Sequence, residues 1–296
     1  MSPTFKPTPI DAYIVKLMLN KAKGLPIEII DEVLDYAEYW PSHTVEVNFG
    51  EDTPEVVRGK TGFRDDAPED KFILRTPPLA LRKRGGLPLH RMPLEPKMLA
   101  GEWSSEDFLA KSKSPVSASS NHPCRRIVFT LVSHDQGWGG RTNDEEDNGP
   151  YSHSWTWFEA GLERFARNEG DEYPSIALDN AVTVYPETEW DDNAGTGSFR
   201  FTLNGHDERK IQANITADNE YTTHVVAWDY RDDTDPRTDR DGIAKLQYWG
   251  RGIATESGNF VRNLRIGDMV TVWAKARFPA WSNNIASVKV EVFWAI

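Results

Sequence analysis

A histidine and an aspartate stand side by side in the stretch SHDQGWGG, and these are the residue types of a catalytic base and its orienting carboxylate. His134 and Asp135 follow RRIVFTLVS, which has the pattern of a β-strand. Neighbouring side chains of a strand point to opposite faces, whereas a base and its carboxylate must meet in space. The spacing therefore argues against a catalytic couple, and we predict no catalytic residue.

Other patterns that support catalysis or metal binding are weak. The sequence has no Gly-x-Ser-x-Gly motif, and its seven histidines lack the spacing of a metal-binding pair. The lone Cys124 lies at the start of a strand pattern, where a structural role is more common than a reactive one. The aspartate-rich loop 232–242 fits a calcium loop only in pieces, because Pro236 interrupts it. We predict no metal and no cofactor.

The same stretch suits a binding site better. Trp138 lies in a glycine-rich turn, where an indole can serve as a stacking platform beside polar side chains. A second turn, ARFPAWSNN, again combines arginine with tryptophan, which are favoured interface anchors. The alternative is that both turns close the end of a core. The predicted ligand-binding residues are His134, Asp135, Gln136, Trp138, Arg141, Arg277 and Trp281.

Two more tryptophans follow in SWTWF. Trp155 and Trp157 are two residues apart, so they share one face of a strand, and Phe158 lies on the other. Two tryptophans on one face most often point to a core. We therefore predict that this pair belongs to the core of the sheet.

The elements that must position these residues are mainly strands. Short segments of period two recur over 124–296, separated by polar turns, and no helical pattern of useful length interrupts them. This favours an antiparallel β-sandwich, of the jelly-roll or galactose-binding-like kind, over a parallel sheet. We predict a disordered tail at 1–10, a helical hairpin at 11–41, and a sandwich at 44–296 with an irregular excursion at about 82–123.

Charge and composition exclude several classes of partner. The chain has 296 residues and a formal net charge of −12, so its surface repels phosphate backbones and anionic lipid. We predict neither a nucleic-acid nor a membrane partner, and no apolar run is long enough for a signal sequence or a membrane span. A single cysteine permits no internal disulfide, which favours the cytoplasm or nucleus.

Four motifs together carry a family resemblance. The segments RRIVFTLVSHDQGWGG, SHSWTWFEAGLER, RKIQANITADNEYTTHVVAWDY and GDMVTVWAKARFPAWSNN resemble a group of fungal intracellular proteins with HDQGW and SWTWF signatures in a C-terminal β domain. The resemblance covers most of residues 68–296. It implies a β fold and an intracellular protein, and it implies little about function.

The segment LPIEIIDEVLDYAEYW resembles the opening of an F-box, whose apolar helices bind an adaptor subunit of ubiquitin ligases. The resemblance implies a partner-binding role for Ile29, Ile30, Val33 and Leu34. The chain departs from the F-box pattern at PSHTVEV, which turns to a strand pattern where further helices would follow. The alternative is that the hairpin simply packs on the sandwich.

These observations predict a non-enzymatic recognition module. It would bind a protein segment or a glycan-like ligand at the Trp-rich loop end, and the F-box-like hairpin would make it a substrate adaptor of a ubiquitin ligase. Two alternatives stay open: a hydrolase that uses clustered acidic residues and a histidine, and a structural scaffold domain.

Overall fold

A computed structural model describes ten segments of the chain. Arg141 and parts of the predicted excursion lie outside them. The described residues are 5–59, 70–81, 92–97, 101–112, 116–118, 120–139, 149–191, 198–202, 208–239 and 241–296.

Two antiparallel five-stranded sheets form the body of the protein. The first sheet has the strand order β1 (Ser42–Asn48), β12 (Ser282–Trp294), β4 (Cys124–His134) and β10 (Thr222–Asp229), and β2 (Glu55–Arg58) also pairs with β12. The second sheet has the order β3 (Asp70–Arg75), β11 (Met269–Ala276), β5 (Thr156–Phe165) and β6 (Ala181–Tyr185), and β9 (Lys210–Ala213) also pairs with β5. A separate hairpin consists of β7 (Thr188–Asp191) and β8 (Ser198–Phe201).

The core lies between the two sheets. Alternate residues of β12 and β4 are buried, including Val290 and Phe129, and they share one hydrophobic cluster with Val272 of β11 and Phe158 of β5. Such alternation is what buries one face of an antiparallel sheet. The predicted mainly-β sandwich with an N-terminal helical pair is confirmed.

The prediction that both tryptophans belong to the core is wrong for Trp155, and Trp157 is buried, at 7% exposed, but outside the main core cluster. Phe158 belongs to the core cluster, so Trp157, one residue earlier on β5, lies on the outer face of the second sheet. Trp155 precedes the strand, is 38% exposed, and meets Phe278 edge to face at a centroid distance of 4.6 Å. The pattern of large apolar residues was misleading because this outer face also carries aromatic rings.

Six helices are described. Thr8 caps α1 (Pro9–Lys23), and Asp11 completes its capping box, so the helix begins inside the predicted tail. The three helices between β10 and β11 have seven, four and four residues, so no long helix interrupts the described strands of 124–296. The remaining helices are α2 (Ile27–Tyr36), α3 (Ser105–Lys111), α4 (Gly242–Tyr248), α5 (Ala254–Ser257) and α6 (Asn259–Arg262).

The helical hairpin α1–α2 is fixed to the first sheet by charged and aromatic side chains. The Asp35 carboxylate accepts hydrogen bonds from Arg125 Nε (3.0 Å) and from Trp40 Nε1 (2.8 Å). Glu38 accepts from Arg126 Nη1 at 2.7 Å and pairs with Arg231 at 2.5 Å. Arginine–carboxylate pairs of this kind define the orientation of the hairpin on the sandwich.

No helix among the described residues is long and apolar enough to cross a membrane.

Candidate functional site

Asp135 organises the loop end at which β4 finishes. It is fully buried, and its carboxylate accepts hydrogen bonds from the backbone N–H groups of Gly137 (2.9 Å), Ala217 (2.7 Å) and Asp218 (3.0 Å). Burial raises the pKa of the Asp135 carboxyl, while the three N–H groups act in the opposite direction. Asp135 has no exposed surface for a ligand, so it positions the loops rather than lining a site.

The neighbours of Asp135 differ in exposure. His134 Nδ1 faces the Asp135 carbonyl oxygen, and its ring lies edge to face with Tyr221 at 4.5 Å between centroids. Gln136 Nε2 donates to the Trp138 carbonyl at 2.7 Å. The Trp138 side chain is 60% exposed. Trp138 is therefore the member of the predicted set that projects outward as expected of a stacking platform.

The Arg277 side chain lies on the outer face of the second sheet. Its Nη1 and Nη2 donate to the two Asp70 carboxylate oxygens at 2.9 and 3.1 Å, and its guanidinium stacks over Trp157 at 5.2 Å. Trp281 is half-buried, and its carbonyl accepts from Gly59 N at 2.9 Å. The backbones of Arg277 and Trp281 both lie against Gly59, and Ser282 N donates to Gln136 Oε1 at 3.4 Å, so the two predicted turns are adjacent. The Arg277 side chain is nevertheless bound to Asp70.

A layer of buried charges covers that outer face. Lys275 Nζ lies 3.3 Å from Asp70 and 3.1 Å from Glu159. Arg75 Nη2 donates to Glu163 at 2.6 Å, with both side chains at most 2% exposed. Burial raises the pKa values of the Asp70 and Glu163 carboxyls against the effect of their cationic partners.

These clustered acids give little support to the hydrolase alternative. Each is buried and held by a lysine or an arginine, whereas a catalytic acid or base needs access to a substrate. No group of three or more metal-ligating side chains occurs among the described residues. The layer has the character of a structural ion-pair network.

A cleft of about 790 Å³ opens at the same loop end, beside β9. One wall is the segment 149–155, which includes the SHSW part of the tryptophan motif, and the other is the segment 241–251 around α4. Its principal side chains are Tyr151, Ser152, Trp155, Lys210, Tyr248 and Arg251.

Two glycines let the walls of the cleft interlock. A Cβ at Gly250 would lie 2.6 Å from the Tyr151 ring, and one at Gly149 would lie 2.7 Å from the Tyr248 ring. Both glycines also have a positive φ, +67° and +84°, which side chains rarely adopt. The sequence therefore dictates that each aromatic ring packs directly on the backbone of the opposite wall.

The cleft is cationic in an acidic protein. Among the described residues, its lining has three basic side chains, Lys210, Lys245 and Arg251, against one acid, Asp241. Lys245 is paired with Glu256 at 2.8 Å. The Nζ of Lys210 lies 5.9 Å from the centre of the Trp157 ring, so Arg251 is the cation considered next.

Arg251 is held by neutral groups. Its Nε donates to Gln212 Oε1 at 3.2 Å, and its Nη2 to the Val225 carbonyl at 3.5 Å. A buried histidine lies close to Arg251: the Nε2 atom of His224 is 3.0 Å from the hydroxyl oxygen of Tyr151. Burial, together with the charge of Arg251, lowers the pKa of His224 to about 4, so the imidazole is neutral at pH 7 and fixes the Tyr151 hydroxyl.

The wall that contributes Tyr248 and Arg251 was not predicted from the sequence. The segment AKLQYWGRG has no periodic pattern that predicts an element, because α4 spans only seven residues. The signal that could have found it is the pair of aromatic residues before Gly-Arg-Gly, the same combination of aromatic, glycine and arginine as at Trp138.

The helical hairpin presents an unusual outward face. Of the four residues with a predicted partner-binding role, Ile30 and Leu34 are buried within the protein, whereas Ile29 and Val33 are 43% and 44% exposed. Ile27 and Tyr36 of α2 are also exposed. On α1, the exposed apolar residues are Ile10, Tyr13, Ile14, Leu17 and Met18.

Comparisons of the chain with protein-family models, with curated proteins and with solved structures give no match. The resemblances to the fungal group and to the F-box stay predictions.

Proposed function

We propose that this protein is a non-enzymatic recognition adaptor: the hairpin α1–α2 binds a protein partner, and the loop end of the sandwich binds a target. The proposal depends on the exposed apolar face of the hairpin. Its α1 members recur at i, i+3, i+4, i+7 and i+8, which places them on one side of the helix. Contiguous apolar surface of this kind marks interaction sites in water-soluble domains.

The arrangement of the hairpin supports this proposal. A helix that merely packs on a sandwich turns its apolar stripe inward. Here Ile30 and Leu34 are buried, and the carboxylates of Asp35 and Glu38 pair with Arg125 and Arg126 of the sandwich. Most of the large apolar side chains of the hairpin are exposed. The ion pairs keep the hairpin fixed while its outer face is free to bind.

A different protein fits this face better than a second copy of the chain. Two copies with a formal net charge of −12 each would repel one another. The F-box-like segment 25–40 favours an adaptor subunit of ubiquitin ligases as the occupant. The sandwich would then present its bound target for ubiquitination.

The test is binding of the full chain to a purified ubiquitin-ligase adaptor subunit, measured by isothermal titration calorimetry. We expect the double variant Ile29→Asp/Val33→Asp to weaken binding by about a hundredfold, because two charges enter an apolar interface. Both residues are exposed, so we expect the double variant to fold. A charge at the buried Ile30 or Leu34 would instead prevent folding.

The matched control is Val225→Asp. Val225 is 57% exposed on β10, outside the hairpin, and its replacement should leave the affinity unchanged. The proposal fails if the wild-type chain does not bind the adaptor. It also fails if light scattering shows a dimer that the double variant dissociates, because the face would then serve self-association.

A further inference from the structure

We infer that the cleft between segments 149–155 and 241–251 binds a carbohydrate that carries a carboxylate. This inference extends the proposed recognition function by naming a ligand class for the sandwich. It does not depend on the hairpin, which lies elsewhere in the protein.

The charge of the cleft selects an anion. Arg251 makes its hydrogen bonds to an amide oxygen and a backbone carbonyl, and among the described residues no carboxylate neutralises it. Lys210 also lines the cleft, but its Nζ lies 5.9 Å from the centre of the Trp157 ring, so the inference depends on Arg251. A guanidinium binds a carboxylate through charge-assisted hydrogen bonds, which are about twice as strong as neutral ones.

The aromatic side chains favour a ligand with flat apolar faces. Trp155 is 38% exposed and Tyr248 is 43% exposed, and they lie on opposite walls. Ser152 and Tyr151 bring hydroxyl groups to the same lining. Stacking surfaces combined with a few polar groups suit a sugar ring, whose hydroxyls need partners and whose C–H face is apolar.

The neighbouring strand disfavours an acidic peptide. An extended peptide binds most readily by adding a strand to a free sheet edge. The edge of β9 beside the cleft is already occupied, because Ala213 N donates to Gly250 O at 2.7 Å and Gly252 N donates to Lys210 O at 3.1 Å. A volume of about 790 Å³ suits a compact ligand such as a short oligosaccharide.

The experiment is calorimetric titration of the full chain with trigalacturonate and with its fully methyl-esterified form. We expect the acid to bind and the ester to bind about tenfold more weakly or worse, because esterification removes the charge that pairs with Arg251. Arg251→Gln should weaken binding of the acid by a similar factor and leave binding of the ester unchanged. Trp155→Ala should weaken both ligands.

Two variants on the β7–β8 hairpin serve as controls. Trp190→Ala removes a tryptophan that is 52% exposed, and Arg200→Gln removes an exposed arginine that pairs with Glu189, both away from the cleft lining. Neither should change the affinity. Thermal unfolding of every variant confirms that it is folded.

Three outcomes would overturn the inference: no binding of trigalacturonate, equal binding of acid and ester, or a hexaglutamate peptide that binds more tightly than the sugar acid. The hairpin proposal is tested separately. Arg251→Gln should still bind the ubiquitin-ligase adaptor, and Ile29→Asp/Val33→Asp should still bind trigalacturonate.

Discussion

The outer faces of the two sheets meet their surroundings differently. On β10 of the first sheet, exposed and buried residues alternate, as expected when one side faces water. All eight residues of β11 in the second sheet are buried. Other segments of the chain cover its outer face. The Met92 carbonyl accepts a hydrogen bond from Arg75, and the Phe201 ring lies 5.4 Å from the Trp273 ring, measured between centroids.

The difference shows that burial and apolar composition are separate properties. The second sheet buries its inner face with aliphatic and phenylalanine side chains and its outer face with ion pairs and aromatic rings. Ion pairs away from water cost desolvation, which is why burial raises the pKa of Glu163 even beside Arg75. Such pairs contribute little net stability, but they penalise any arrangement that separates them.

The largest expected effect breaks a pair on the buried outer face. Glu163→Gln leaves the Arg75 charge buried without its counter-ion, and we expect a loss of about 3–5 kcal/mol in the free energy of unfolding. The double variant Arg75→Met/Glu163→Leu should recover all but about 1–2 kcal/mol, since an apolar pair needs no counter-charge. Urea denaturation measures both. Equal losses in the single and double variants would mean that the pair itself is strongly stabilising.

The inner face of the same sheet gives the next effect. Leu162 of β5 is buried in the core cluster, and Leu162→Ala should cost roughly 2–4 kcal/mol through lost contacts and a cavity. No second substitution elsewhere should rescue it, in contrast to the ion pair. A loss below about 1 kcal/mol would show that the core closes around the missing atoms.

A titratable group on the inner side of the first sheet gives a pH-dependent effect. His224 has a folded pKa of about 4, below its ordinary value of 6.5. Between these values the unfolded chain binds a proton that the folded protein does not, so stability falls as the pH falls. From pH 7 to pH 5 the wild-type protein should lose roughly 2 kcal/mol more than His224→Gln.

Comparing the two proteins cancels the effect of the carboxyls whose pKa values are raised in the folded protein, which has the opposite sign. These carboxyls include those of Asp70, Asp135, Glu163, Asp232 and Asp268. Identical pH profiles of the free energy of unfolding would show that His224 is not held neutral beside Tyr151 and Arg251.

The smallest effect is expected on the exposed face of the first sheet. Val225→Thr replaces a residue that is 57% exposed on a strand, with another β-branched side chain, and should change stability by less than about 0.5 kcal/mol. A larger loss, measured by urea denaturation, would show that this face is covered in solution and would remove the contrast between the two sheets.

Strands with simple alternation could be predicted from the sequence, and β4 was placed within one residue of its ends. The burial of the outer face of the second sheet could not be predicted, because a mixture of aromatic and charged residues in the sequence does not indicate a buried face. Trp157 shows the difficulty: its size predicts a core position, but its indole donates to Glu159 at 2.8 Å under the charge of Arg277.

None of the described residues predicted to bind a ligand lines the cleft. The cleft lies beside the loop end that carries Trp138, where Ala217 N donates to Asp135 and Thr216 donates to the Ser152 carbonyl. Its second wall, with Tyr248 and Arg251, depends on helical turns too short to give a periodic signal and on contacts across about 100 residues of sequence.

The interlocked glycines of the cleft have a consequence for the thermodynamics of binding. Because Gly149 and Gly250 let each ring pack on the opposite backbone, the cleft has its shape before a ligand enters. Binding should then restrict the motion of the ligand far more than that of the protein. Among ligands of equal charge, stiff oligosaccharides should bind more tightly than flexible ones, with the advantage appearing as a smaller entropy loss.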